Sequence, residues 1–366
     1  MNGSTISTVS RQWATRPDDE RFESLIALRD SRRDLRERSF QKVIANKDLR
    51  AVPAEDHKGI TVLGPNGAPA IPSHWAFGQL AALSGAPAGY LRTLPSELAA
   101  DCVNFGLHVA RDVEDVKVLG TRDGDILGLR AINGPTFGRV WDSDIAELLV
   151  DRFGDGRTGD YRAPGEFGRE VNITKANTTF YGSDRDMFVF LCDERNRVEV
   201  PNRRNGQPGL MARGFYVSQS EVGAGCLTVA FFMFDYVCRN RTIWGVEQFK
   251  SISLRHTSGL PARWDSEIRP VIRELADASP RPMLETIAAA QSKKVADNLD
   301  AFLATRFGKR DSAAIKAIHL REEDRPIETL WDVSVAATAF ARSMAHQDAR
   351  VDLERKAGAV LELVAA

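Results

Sequence analysis

The chain predicts an α+β fold: an antiparallel β-sheet core with flanking helices and a helical C-terminal third. Four strand-like segments follow one another at 169–180, 186–192, 211–218 and 226–238, with no helical pattern between them. From Trp264 onward, apolar residues recur at helical spacing instead. Strands and helices are thus segregated, which argues against a parallel βαβ array. With 366 residues, 43% of them hydrophobic, the chain can fill one large domain or two ordinary ones.

Residues 1–20 are polar and hold Pro17 and the Asp18-Asp19-Glu20 run, which predicts a mobile arm. Phe22 to Ile44 reads as a helix, although Leu35 is the one apolar residue of SRRDLRER. Residues 29–50 carry eight Lys/Arg against four Asp/Glu, the pattern of a solvated helix laced with neighbouring opposite charges. Two apolar runs around Pro-Asn-Gly make 59–72 a hairpin. Ser73 caps a helix through Leu83 that ends at Gly85, and Pro87, Pro95 and Ser96 reset the chain into short helices to about Val109. Strands at 115–120 and 125–132 pair around Asp123-Gly124, and a helix from Asp142 or Ser143 runs to Phe153. Five glycines and a proline at 154–168 mark a joint. The four strands follow, with a long basic insertion at 194–209. In the helical third, Leu284, Ile287, Ala288, Val295, Leu299 and Phe302 track one face, as do Leu353, Ala357, Val360, Leu361 and Val364. The organisation is an arm (1–20), a mixed region (21–153), the central sheet region (154–263) and a helical region (264–366), forming one composite domain.

Composition restricts the function. With 49 Lys+Arg against 50 Asp+Glu the formal charge is −1, so a nucleic-acid site must be local. Cys102, Cys192, Cys226 and Cys238 form no Cys-x-x-Cys pair, and three lie in apolar runs, which fits a reducing cytoplasm. The first residues lack a hydrophobic signal core, and the apolar run 226–238 is too short to span a bilayer and contains Asp235, so no membrane partner is expected. Phosphate-loop, dinucleotide, His-Glu-x-x-His and Gly-x-Ser-x-Gly signatures are missing, and the six histidines have no ligand-like spacing. No catalytic residue and no cofactor is expected. The metal alternative is carboxylate chemistry, with Asp184 and Asp186 of SDRD, Glu170 and Asp193 converging on Mg²⁺. Glu221, in the SQSEVGAG turn, is placed to accept turn amides, with a candidate base as the lesser alternative. Asp235 inside an apolar strand calls for Arg239 or Arg241 as its partner.

Residues 239–263 hold Arg239, Arg241, Lys250, Arg255 and Arg263 against Glu247, interleaved with Trp244 and Phe249. Cations that neutralise phosphates beside rings on which bases stack suit sequence-tolerant single-strand binding. Arg203, Arg204, Arg213 and Lys175 extend this candidate surface across the sheet. The competing explanation makes Trp244 a core anchor and the arginines a solvated edge that discourages aggregation.

Five segments, IPSHWAFGQLAALSGAPAGYL (71–91), LRAINGPTFGRVWDSDI (129–145), SDRDMFVFL (183–191), RGFYVSQSEVGAGCLTVAFF (213–232) and YVCRNRTIWG (236–245), together resemble an uncharacterised phage/plasmid-like protein family found on prophages, phages and conjugative plasmids. The closing LWDVSVAATAFARSMAHQDARVDLERKAGAVL is similar as well, whereas residues 1–50 and 194–209 lie outside the likeness. Gln219 stands where that family has Asn, and Arg241 where it has Gly. The resemblance implies a mobile-element setting in a bacterial cytoplasm and no catalytic residues. In that setting the expected function is single-strand DNA binding or annealing in recombination or replication, as a homo-oligomer, with phage or host recombination proteins as further partners. A metal-dependent nucleic-acid-processing enzyme, or a scaffold or regulator of host machinery, are the alternatives.

Overall fold

The computed structural model describes residues 16–57, 59–109, 114–163, 172–201, 208–235, 240–243, 252–275, 279, 281–295, 298–344 and 347–364, in backbone alone at 234–235, 240–243, 347–348 and 351. The fold is α+β and is built on two sheets. Its N-terminal part runs β1 (Arg21–Phe22), α1 (Leu25–Glu37), β2 (Ser39–Ala45), β3 (Arg50–Pro53), β4 (Ile60–Leu63), β5 (Pro69–Pro72), α2 (His74–Leu83), α3 (Ala88–Leu91), α4 (Ser96–Val109), β6 (Asp115–Asp123), β7 (Ile126–Asn133) and α5 (Asp142–Phe153). The central part adds β8 (Tyr161–Arg162), β9 (Phe180–Gly182), β10 (Met187–Asp193), β11 (Val198–Val200), β12 (Gly209–Gln219), β13 (Leu227–Asp235), β14 (Asn240–Ile243) and β15 (Ile252–Leu254). Then α6 (Leu260–Arg263) leads through a π-turn, Trp264–Ile268, into α7 (Arg269–Leu275), followed by α8 (Arg281–Ser292), α9 (Leu299–Phe307), α10 (Lys309–Glu323), α11 (Leu330–Ala341) and α12 (Gln347–Leu361).

The six-stranded sheet has the order β2-β6-β7-β5-β4-β3, antiparallel except for the β5–β7 pair. Helices α2 to α4 cover one face of it through Leu80, Leu91, Val103 and Leu107. The nine-stranded sheet has the central order β1-β9-β10-β12-β13-β14, with β8, β11 and β15 pairing at its margins. Its alternating residues feed two faces, as period-two side chains must. Val189, Leu191, Phe215, Val217 and Phe231 pack with Leu25, Leu149, Trp264 and Ile268. Phe188, Phe190, Tyr216 and Phe232 form an aromatic layer on the other face. The C-terminal helices close over Met211 and Met233 around the fully buried Trp331. Among the described residues no helix is long and apolar enough to cross a membrane.

Several expectations hold. Ser73 caps α2, accepting from the Ala76 N–H at 3.1 Å, and α5 spans the expected residues. Others need correction. The helix expected over 22–44 stops at Glu37, and Ser39–Ala45 is an edge strand whose residues 40–43 are exposed. Its charges match the laced pattern at Arg29–Asp30 and Arg38–Asp34, both 2.7 Å, whereas Arg32 is buried and Arg33 and Arg36 reach across to Glu147 and Asp144 of α5, both at 2.6 Å. Of the strand expected at 169–180, residues 169–171 lie outside the described residues, and from 172 onward only Phe180 is in a strand (Phe180–Gly182), because Asn177 folds 172–177 into a turn by accepting from the Thr174 N–H and donating to the Asn172 carbonyl. The helical run 284–302 divides into α8 and α9, where Lys294 bridges to Thr329 and Asn298 caps the new helix. The arm is docked at its end, since Arg16 binds Asp186 at 2.7 Å, while residues 1–15 lie outside the described residues.

Candidate nucleic-acid interface

The β12–β13 hairpin joins the two sheets. Its turn, residues 220–226, projects from the nine-stranded sheet into the six-stranded one. The Val222 carbonyl accepts three side-chain donors there, Trp75 Nε1 at 3.1 Å, Gln79 Nε2 at 3.1 Å and Asn133 Nδ2 at 3.0 Å. The Val222 side chain packs with Leu119, Ala131, Trp75 and Trp141. Gln219 Nε2 donates to the Val140 carbonyl at 2.7 Å, and Ser220 Oγ to that of Arg185 at 2.7 Å. A backbone carbonyl taken out of water must find donors, so this convergence fixes the turn in one place.

Glu221 is the electrostatic centre of the junction. Its Oε1 accepts the Asp142 N–H at 2.8 Å, so a distant carboxylate caps α5, whose own N-cap residue Trp141 has no side-chain acceptor. Its Oε2 lies 2.9 Å from Arg130 Nη1, with both side chains almost wholly buried; the contact is an ion pair by distance but is not aligned as a hydrogen bond. Arg139 donates to the Glu221 carbonyl and, at 3.1 Å, to Asn133 Oδ1. Burial is the main force lowering Arg139, to about 10, so it stays charged at neutral pH. Burial, reinforced by the Glu221 carboxylate, holds Asp142 well above the ordinary carboxylate range despite the opposing pull of Arg32 and Arg130.

The folded protein therefore retains the Asp142 proton more tightly than the unfolded chain does. The stability linked to that proton is complete below the ordinary carboxylate range and is lost as pH rises through the elevated value. Asp142→Asn removes this decline. The variant is expected to gain on the parent in urea midpoint as pH rises, and a gap that stays constant or narrows would contradict the assignment.

Around the hairpin turn, arginines and flat rings alternate. The loop from β7 to α5 places the Arg139 guanidinium 5.0 Å from the Phe137 ring centroid and 5.7 Å from that of Trp141. Arg36 of α1 lies 4.7 Å over the Trp141 ring. At the other end Phe137 stacks on His256, centroids 4.6 Å apart and planes at 6°. Burial lowers the His256 pKa, which favours a neutral ring. Gly138 permits this approach, because a Cβ there would lie 2.0 Å from the Thr257 carbonyl oxygen. The resulting ladder is Arg36, Trp141, Arg139, Phe137, His256, in which Arg36 is paired with Asp144 at 2.6 Å and Arg139 is buried, with exposed Arg255 next along the chain. A second stack flanks the turn, where the exposed Arg185 lies 4.8 Å over Trp75. Rings in the ladder are half-buried, and Lys42 is exposed on the nearby edge strand.

The residues expected to bind nucleic acid are not gathered as the sequence suggested. Arg213 is a correction: it is buried and bonded to Asp193 at 2.8 and 2.9 Å, which takes its guanidinium away from any phosphate. Arg263 is exposed but paired with Glu267 at 2.7 Å. Lys175 and Arg255 are exposed. Arg241 sits in β14 opposite Phe234, described in backbone alone. Arg203, Arg204, Arg239, Trp244, Phe249 and Lys250 lie outside the described residues. The register sets Asp235 opposite Asn240; of the partners expected for it, Arg239 lies outside the described residues and Arg241 is described in backbone alone.

The carboxylates also part company. Glu170 is outside the described residues. Asp186 is engaged by Arg16 at 2.7 Å and by Ser183 Oγ at 2.9 Å, Asp193 by Arg213, and Glu221 by Arg130, while Asp184 is exposed and offers its carbonyl to Arg130 at 3.1 Å. Among the described residues no three His, Cys, Asp or Glu side chains are grouped to hold a metal, so the Mg²⁺ convergence does not form there. Sequence reasoning missed Arg36, Phe137, Arg139, Trp141 and His256. The one local signal was the Phe-x-Arg-x-Trp spacing in 137–141, which sets three stacking side chains on alternate residues of an extended loop.

Comparison with protein-family models, with curated proteins and with solved structures finds no match to this chain.

Proposed function

We propose that this is a non-catalytic single-stranded DNA-binding protein of a mobile element, acting in recombination or replication, and that the strand follows the ladder from Arg36 to Arg255. The observation that carries this reading is the alternation of cations and partly open rings beside a rigid hairpin turn. Such a surface grips phosphates by charge and bases by their faces, and needs no sequence-specific donor pattern. The binding reading is favoured over the enzyme reading because Asp186 and Glu221 are consumed by Arg16 and Arg130. With a near-neutral whole-molecule charge the phosphate grip is local, and the exposed Arg255, Arg185 and Lys42 would supply it. Self-assembly is part of the proposal, as a strand longer than one ladder needs several copies.

Fluorescence anisotropy with a labelled oligothymidylate tests it. Affinity is expected to fall steeply between about 50 and about 200 mM salt, and Arg255→Ala to reduce the log–log slope by roughly one. Phe137→Ala is expected to cost about 1–3 kcal/mol of binding while leaving the slope unchanged. Native mass spectrometry with and without the oligonucleotide reads assembly in the same sample. Absent binding, or binding indifferent to salt, removes the proposal.

A further inference from the structure

A second concavity lies in the six-stranded lobe, where the turn after β3, strands β4, β5 and β7, and helices α2 to α4 enclose a cleft of about 950 Å³. None of the ladder residues lines it. Its size matches sites for small organic molecules, and such sites combine an apolar floor with a few placed polar groups. Ile60, Leu91, Leu94 and Leu127 supply the floor. Ile71 and Ile126 stand at its wall 59% and 61% exposed, an unusual position for two aliphatic side chains on adjacent strands.

The polar feature is Arg92. Its guanidinium lies 4.6 Å over the Phe77 ring, and Nη2 reaches the His74 carbonyl at 3.3 Å. Stacking on Phe77 and the contacts of Nη2 with His74 hold the planar fork in a set orientation. By contrast the cleft's His57, in the left-handed region at φ 55°, is already matched by Glu97, 2.8 Å from its Nδ1. Glu55, Asp56 and Asp125 also border the cleft. The cleft thus presents one oriented guanidinium, held through Nη2 by His74, beside exposed aliphatic surface.

We infer that this cleft binds a small organic monoanion, a carboxylate or phosphate-ester head on a short apolar body, with Arg92 receiving the head and Ile71 and Ile126 the body. The test is a ligand-observed NMR titration of the full-length protein with hexanoate, hexyl phosphate, inorganic phosphate and hexylammonium. Hexanoate or hexyl phosphate is expected to bind, the preferred one identifying the head group, and inorganic phosphate alone is not. Arg92→Gln is expected to weaken binding about tenfold or more, since a charge-assisted fork is lost. Ile126→Asp, at a position 61% exposed, is expected to do the same with the melting temperature retained. Hexylammonium binding as well as the anions, indifference to both substitutions, or no binding by any probe would overturn the inference.

Discussion

Glu221→Ala is expected to destabilise the protein by about 3–5 kcal/mol, the range found when one member of a buried ion pair is removed. Two groups lose their partner together. Arg130, buried beside Arg139 and Arg32, is left as an unmatched cation, and the first N–H of α5 loses its acceptor. Glu221→Gln keeps a carbonyl oxygen for that N–H and should cost less. The double variant Glu221→Ala with Arg130→Met should recover part of the loss, because the unmatched cation is then gone. Urea unfolding at neutral pH reads all three. A loss below about 1 kcal/mol for Glu221→Ala would mean that water reaches Arg130 and that the junction is not dry.

Gly138→Ala is expected to cost about 3 kcal/mol or more, at the upper end of overpacking effects. The added methyl would sit 2.0 Å from the Thr257 carbonyl oxygen, a backbone atom with no rotamer to escape into. The loop and the 255–257 segment are also joined by the Gly138 N–H to His256 carbonyl bond at 3.2 Å and by the His256 Nδ1 contact with the Gly138 carbonyl at 3.0 Å. Pushing them apart unstacks Phe137 from His256. The same substitution should therefore lower the unfolding midpoint and weaken oligothymidylate binding together. A variant with parental stability would refute the close packing, and one destabilised but with undiminished affinity would separate the ladder from the binding surface.

Local signals in the sequence were read correctly where the physics is local. Ser73 before an apolar run, Gly85 beyond it and the Asp123-Gly124 turn mark their elements because caps and turns act over three or four residues. Strand β2 was hidden for the opposite reason. It is an edge strand with Phe40, Gln41, Lys42 and Val43 all exposed, so no inside–outside alternation betrays it. Arg213 looked like a surface cation because its partner, Asp193, comes from the neighbouring strand β10, and only the register brings them together. The ladder is assembled from α1, the β7–α5 loop and the end of β15, and no spacing rule links Arg36 to His256.

The three donors on the Val222 carbonyl precede it by 147, 143 and 89 residues. On the ribosome, Trp75, Gln79 and Asn133 therefore emerge well before the group that will satisfy them, by roughly five to twenty seconds at ordinary elongation rates for the nearest of the three. During that interval the nascent six-stranded lobe carries an open socket lined by tryptophan. That exposure during translation ends when the β12–β13 hairpin clears the exit tunnel.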